Sequence, residues 1–386
     1  MKQAIAEPVI RRIFGYLDHG TTAMAERPWR NDVSAYHSAD HLASEMRVLF
    51  RETPLLMGLS CDWPKPGDWR TDDLAGVPIL IARGGDGVLR AFLNVCRHRG
   101  AKVAQGCGHG RAFSCPYHAW TYGLDGRLRG VPDERAFEGV RAERPGLTPL
   151  PLAERHGLVW VLPTPAADGS TALDIAPWLG GLDAELATYG AGSYHTYDKR
   201  LTPETMNWKI LVDTFHESYH VGFLHKDSLS SILIGNVSDF EAFGPNHRLV
   251  FPRHKIARLR EQPESDWDLM WNSVTVYCLF PNTLFVTLGD HLEVHRVFPA
   301  EGRADRAVME TSFYIPEPIT SAEQESHWKA NLDLMLRVVM GEDFPTGRSM
   351  QIGFASGAQT HTVFGRNEPA MIHYHQSLRR ALGLEI

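Results

Sequence analysis

The spacing of apolar residues changes once along the chain. From about Leu55 to Pro163 they come in short runs bounded by Gly, Asp or Pro, such as Val77-Pro78-Ile79-Leu80-Ile81-Ala82 and Leu158-Val159-Trp160-Val161-Leu162. Gly84-Gly85-Asp86-Gly87 reads as a hairpin turn between Ile81 and Leu89, and glycines concentrate between Gly100 and Gly130. This stretch predicts a small all-β unit with long loops. After Pro163 the segment Thr164-Pro165-Ala166-Ala167-Asp168-Gly169-Ser170 reads as a linker. Thr202-Pro203 then puts Pro at a first helical position, with Trp208, Leu211, Val212, Phe215 and Tyr219 following at helical spacing. Strands are predicted over Val274 to Leu279, Leu284 to Leu288 and His291 to Phe298. A second helix is predicted from Thr320, with Glu323 completing a capping box, Trp328, Leu332, Met335, Leu336 and Val339 as its buried stripe, and Gly341 as its stop. The segment up to about Arg51 also has helical periodicity. The expected layout is a helical segment over 1–50 packing on the second domain, an all-β domain over 51–163, and a domain with an antiparallel sheet flanked by helices over 164–386: an α+β protein.

Composition narrows the function classes. A chain of 386 residues exceeds what one hydrophobic core usually organises. A net charge of -7, with no basic run interleaved with aromatics, argues against nucleic-acid binding, which draws on dense positive charge. No stretch approaches the ~20 apolar residues of a membrane span. The first twenty residues carry Glu7 and Asp18 and no continuous apolar core, unlike a secretory signal. Five cysteines without such a signal predict a cytoplasmic protein whose clustered cysteines bind metal rather than pair.

The cysteines do cluster with histidine. Cys96-Arg97-His98 is followed after sixteen residues by Cys115-Pro116-Tyr117-His118. One Cys and one His on each loop let two thiolates take one iron and two imidazoles the other, the arrangement of a Rieske [2Fe–2S] cluster. A structural zinc site with mixed Cys and His ligands is the alternative; the spacing and the surrounding strands favour the cluster. Cys107-Gly108-His109 also spells Cys-x-His, but five residues before Cys115 leave too little chain for two opposed loops. Cys61 and Cys278 are expected to be lone buried hydrophobes, and Trp120 to shield the cluster.

A second constellation begins at Asn207-Trp208-Lys209 and runs through Asp213, His216-Glu217, Tyr219-His220 and Gly222 to His225. Together with Cys96-Arg-His98-Arg-Gly-Ala and Cys115-Pro-Tyr-His118-Ala-Trp120, it resembles the large (alpha) subunit of Rieske non-haem iron oxygenases, the aromatic-ring-hydroxylating dioxygenase family, over nearly the whole chain. The resemblance implies a mononuclear Fe(II) held by His220, His225 and a downstream carboxylate. Asp343 matches best, with its neighbour Glu342 left open. Two His and one carboxylate leave positions open for dioxygen. His220 and His225 lie ~140° apart round a straight helix, so both reach one metal only where the helix bulges or ends between them. The family usually has a carboxylate at the position of Glu217, bridging to the cluster of a neighbouring subunit in a trimer. That carboxylate is commonly Asp; Glu occurs in branches that include enzymes acting on quaternary amines. Asp213, one turn earlier, either steers proton or electron flow or caps the network.

The chain has no G-x-G-x-x-G after a strand, so an NAD(P)H-dependent flavin reductase, with or without a ferredoxin, is the expected electron source. Aromatic hydroxylation is the leading expectation for the reaction on a small organic substrate, followed by demethylation of a quaternary amine or methoxy-aromatic. Two rival readings exist. A non-catalytic electron carrier would not need Glu217, His220 and His225. His216-Glu217-Ser-Tyr-His220 also spells the H-E-x-x-H zinc peptidase helix, in which the cluster has no role. His291 and His295 share one side of a predicted strand, and His295 is expected to reach the substrate cavity. His361, His373 and His375 are read as surface or satisfied core residues.

Overall fold

A computed structural model describes residues Lys2–Ile386, which divide into two compact units. One is Met46–Pro177; the other joins the chain up to Glu45 to Trp178–Ile386. No helix among the described residues is long and apolar enough to cross a membrane.

The smaller unit is built from antiparallel β-strands, as the short apolar runs predict. A five-stranded sheet has the order Pro149–Leu150, Leu89–Leu93, Ile79–Arg83, Asp68–Asp72 and Cys107–His109. The Gly84–Gly87 turn closes the hairpin between its second and third members, with Gly87 at φ 79° and the Gly84 N–H donating to the Val88 carbonyl at 2.9 Å. Two three-stranded sheets complete the unit, one of them Ala112–Ser114, Thr121–Gly123 and Leu128–Gly130. Cys96, Cys115, Trp120 and Tyr122 lie in the hydrophobic cluster between these strands, with Leu80, Phe92 and Phe113.

The larger unit is organised by a seven-stranded antiparallel meander. Its order is His195–Glu204, Arg303–Ile315, Leu292–Ala300, Thr283–Thr287, Ser273–Leu279, Asn246–Pro252 and Asp239–Phe243. The three predicted strands are its centre. The first helix, Gln3–His19, buries Ala6, Val9, Ile10 and Ile13 against Val250, Ile256 and Leu259 of this unit. Trp29–Asp32 pairs with His361–Phe364, tying an early segment to a late one.

Three predicted helix boundaries are corrected. The stretch at Thr202-Pro203 is strand, with Pro203 opposite Val308 in the register. The strand lies at the sheet edge, where a residue without an N–H is tolerated. The helix begins instead at Trp208, capped by Asn207, whose side-chain oxygen accepts the Lys209 N–H at 3.0 Å. The second helix spans Ala322–Val338, with its box one residue later than predicted: Ser321 accepts from the Gln324 N–H at 3.2 Å, and Gln324 Oε1 accepts from the Thr320 N–H at 2.8 Å. Gly341 does not stop it. The chain widens into a π-turn over Val339–Asp343 and continues as the helix Phe344–Ala355. Packing on both sides outweighs the ~1 kcal/mol propensity cost of one glycine.

The helix Trp208–Asp213 is anchored by a buried ion pair. Lys209 Nζ donates to Glu45 Oε1 at 2.6 Å, and Trp208 Nε1 donates to Glu45 Oε2 at 2.9 Å. All three side chains are buried. Removing one partner leaves the other charge uncompensated in a dry interior. Glu45→Ala is therefore expected to cost about 3–5 kcal/mol in urea unfolding, and Glu45→Gln, which keeps the tryptophan's acceptor, less.

Candidate active site and metal centres

In the smaller unit the two Cys-His loops share one backbone geometry. The Cys96 carbonyl accepts from the Gly100 N–H at 2.9 Å, and the Cys96 N–H donates to the Ala101 carbonyl at 2.8 Å. The same two bonds recur at Cys115, from the Ala119 N–H and to the Trp120 carbonyl, both at 2.9 Å. Gly100 has φ 85° and Ala119 φ 56°, so each loop turns back through a left-handed residue four positions after its cysteine. Both thiols are buried and unbridged. The His98 and His118 rings lie 4.6 Å apart, and Trp120 stacks on His98 at 4.9 Å with planes 8° apart. His98 Nδ1 is buried without a hydrogen-bond partner. The Tyr122 hydroxyl accepts the Arg97 N–H at 2.9 Å, which leaves its own proton to point at Cys96 Sγ, 3.3 Å away. Cys107 and His109, by contrast, sit exposed on an edge strand, where His109 Nδ1 lies 2.9 Å from Asp68 Oδ1.

In the larger unit the helix started by Asn207 ends at Asp213, and residues 214–220 are irregular. The H-E-x-x-H string is therefore not on a helix, and its two histidines part company: His216 groups with His247 and Cys278, and His220 with His225 and Asp343. A single helical turn, Val221–Leu224, separates His220 from His225 and brings their Nε2 atoms to 3.2 Å. The π-turn delivers Asp343, whose Oδ1 lies 3.1 Å from His225 Nε2 and 3.7 Å from His220 Nε2.

The tautomers follow from the partners on the far side of each ring. His220 Nδ1 donates to Glu217 Oε1, and Glu217 Oε2 also accepts the His220 backbone N–H at 3.0 Å. His225 Nδ1 donates to Glu342 Oε2 at 2.6 Å, and Ser228 Oγ donates to the same oxygen at 2.8 Å. Both Nδ1 atoms therefore carry protons, and both Nε2 atoms face inward as acceptors. Burial lowers the His225 pKa, but Asp343 and Glu342 outweigh it and the net direction is up. Asp213 points elsewhere: its carboxylate accepts from Tyr36 Oη and from His375 Nε2, both at 2.8 Å. His375 is thus a satisfied core histidine.

A cavity of about 370 Å³ opens on the triad. Val221, Ile232, Leu233, Phe251 and Val276 are among its walls, and Arg253, Asp290, His291 and Glu293 bring polar groups to it. His291, Glu293 and His295 share a strand face as the even spacing predicts. His295 does not reach the cavity; it is enclosed between Glu293 and Thr311, 3.1 Å from each. For Glu293, burial acts upward, but hydrogen bonds from His291 and His295 hold the carboxyl down to about 2.

A family model described as "Ring hydroxylating alpha subunit (catalytic domain)" matches residues 186–384, about half of the chain. The chain belongs to this family. A second model, "Rieske [2Fe-2S] domain", matches residues 54–149 of the alpha subunit. Relatives include the glycine betaine monooxygenase oxygenase subunit of Chromohalobacter salexigens, 31% identical over 63% of this chain and 52% of that one. The carnitine monooxygenase oxygenase subunit of Acinetobacter baumannii is 32% identical over 52% and 53%. The biphenyl 2,3-dioxygenase alpha subunit of Rhodococcus jostii is 32% identical over 54% and 46%. The chain spans about half the length of the curated relatives it matches. A quaternary ammonium Rieske monooxygenase solved with L-carnitine shares the fold, with TM-score 0.78 and 21% identity over 98% of this chain and 99% of that one. Naphthalene 1,2-dioxygenase with indole bound has TM-score 0.72 and 18% identity over 94% and 93%.

The two domain types imply a Rieske [2Fe–2S] cluster and a mononuclear iron, and the residues of the alpha subunit fit both. On the Rieske side, paired thiols and an orphaned ring nitrogen are what a cluster takes up. On the other, Asp343 Oδ1 is buried without a hydrogen bond although two ring nitrogens face it, and two neutral imidazoles plus one carboxylate are the donor set of non-haem Fe(II). The chain also holds parts that no motif announces. Tyr122, which follows the second loop, reaches the thiol of Cys96 on the first, and Ser228 and Glu342 orient His225 from separate elements.

His220→Ala is expected to abolish mononuclear iron binding while the cluster's visible absorption persists. Glu342→Gln, which leaves the inward donors in place, is expected to weaken iron binding by roughly 10–100-fold. Tyr122→Phe removes a hydrogen bond that favours the more negative, reduced cluster. Its potential should fall by roughly 40 mV, equivalent to about 1 kcal/mol for one electron, in a redox titration.

Proposed function

We propose that this chain is the terminal oxygenase of a multicomponent system and oxidises an N-methyl carbon of a small quaternary-ammonium carboxylate. The observation that carries the substrate class is Arg253. Its guanidinium lines the cavity, its Nε is buried without a partner among the described residues, and the hydrogen bond it makes there is a long one, from Nη2 to the Leu288 carbonyl at 3.3 Å. Burial pushes its pKa down, against the pull of Asp290. A cation so placed is completed by an anionic group on the substrate, bidentate in the manner of a guanidinium and a carboxylate. Phe215, Phe251 and Trp271 also line the cavity, and aromatic side chains are suited to seat an ammonium. Names among the relatives, glycine betaine and carnitine monooxygenase, support this reading over ring hydroxylation.

In this reading His220, His225 and Asp343 hold the iron. An iron bound there supplies dioxygen activation, and the cluster held by Cys96, His98, Cys115 and His118 supplies single electrons. Arg253 fixes the carboxylate end so that the methyl end faces the triad. The apolar walls exclude water from the reacting carbon. Glu217 keeps the His220 tautomer and lies on the proposed electron route from a neighbouring copy's cluster in a trimer. Overall, one oxygen atom of O2 enters the methyl C–H bond and the other leaves as water, with two electrons drawn from NAD(P)H through a reductase, directly or through a ferredoxin, and two protons taken up from solvent. The hydroxymethyl product then releases formaldehyde.

The test is product analysis with a reductase, oxygen and a panel of glycine betaine, carnitine, choline and biphenyl. Formaldehyde release from a carboxylate-bearing amine is expected, and a hydroxylated biphenyl as the main product would overturn the reading. Arg253→Gln is expected to raise KM for the carboxylate substrate by roughly 10–100-fold and to erase the preference over choline.

A further inference from the structure

Behind the irregular loop that carries Glu217 and His220 lies a second group of soft ligands that the proposed reaction does not use. His216 sits on that loop; His247 and Cys278 face each other directly in the register of two neighbouring strands. Each of the three offers a ligand atom within 4.8 Å of the others. The side chains are 1%, 0% and 0% exposed. The His216 and His247 rings lie 4.7 Å apart, and none of their four ring nitrogens has a hydrogen-bond partner. A neutral imidazole carries one donor and one acceptor, and buried polar atoms are almost always satisfied. Two adjacent imidazoles with nothing bonded therefore call for an occupant.

We propose that His216, His247 and Cys278 form a second metal site that takes a zinc-class cation. Two imidazoles and one thiolate, with no carboxylate among them, are a borderline-soft set that suits a tetrahedral d10 ion and leaves a fourth position open. Burial pushes the Cys278 thiol up and holds the His216 imidazolium at about 3, so both rings present lone pairs and binding displaces one proton, from the thiol. Asp213 supplies compensating charge from close by: its carboxylate acts electrostatically on both His216 and Cys278, while its oxygens are held by Tyr36 and His375. The site shares no ligand with the triad. It ties residue 216 of the irregular loop to the sheet, and thereby fixes the two residues that follow at 217 and 220.

Full-length protein grown with zinc and washed with a mild chelator is analysed for zinc and iron by plasma mass spectrometry, and by zinc K-edge absorption. The site predicts about one zinc per chain, with a single sulfur neighbour at about 2.3 Å and nitrogens at about 2.0–2.1 Å. Cys278→Ala should lower bound zinc by roughly ten-fold or more, with the cluster's visible absorption unchanged, and His220→Ala should leave the zinc in place. Zinc at trace level overturns the proposal. So does zinc with two sulfur neighbours, which marks the Cys96–Cys115 loops, or zinc lost in His220→Ala, which marks the triad. If Cys278→Ala fails to fold, the edge spectrum of the unaltered protein decides.

Discussion

Three acceptor atoms turned toward one point are a set that a cation between them would balance. His220 Nε2, His225 Nε2 and Asp343 Oδ1 are gathered in this way, and the surrounding structure reads as the means of enforcing it. Glu217 and Glu342 take up the protons on the outer ring nitrogens, so neither ring can turn a donor inward. A single helical turn sets the spacing of the histidines, and a π-turn adds the residue that brings Asp343 to the same point. Each of these devices costs local stability, and a buried ion pair and the helices packed on the sheet hold them in place.

The cluster loops solve the complementary problem by repetition. Two segments of different length and sequence, Cys-x-His and Cys-x-x-His, adopt the same pair of backbone hydrogen bonds and the same left-handed residue. Glycine takes that conformation freely at position 100; alanine at 119 takes it under strain, beside Trp120, whose ring shields His98. The histidines of the two sites are thus held in opposite ways: aromatic stacking for His98, carboxylate hydrogen bonds for His220 and His225.

Much of this was legible in the sequence because it is local. The chelating Cys-His pairs and the strand runs each lie within a few residues. The break expected near Gly222 is not there: Gly222 lies within the single helical turn Val221–Leu224, and the irregular chain precedes it at 214–220. What failed was local inference where tertiary context decides: Pro203 is tolerated because its strand lies at an edge, and Gly341 is overridden by packing on both flanks. What was invisible is set by register. Nothing in the neighbourhood of Cys278 announces that His247 lies opposite it, and nothing around Arg253 shows how sparsely its guanidinium is hydrogen-bonded. The lone-cysteine expectation for Cys278 was right about burial and silent about company.

The hydrogen bonds on Asp213 have a consequence for truncation. This carboxylate, at the end of the helix that leads into the His220 loop, is held by Tyr36 on one side and His375 on the other, and the strands near those residues pair with each other. A chain that stops short of residue 375 has His220 and His225 in place, but the base of their loop lacks the histidine that secures it. The arrangement of His220, His225 and Asp343 therefore depends on residues late in the chain, whereas the backbone bonds of the two Cys-His loops are complete by Trp120.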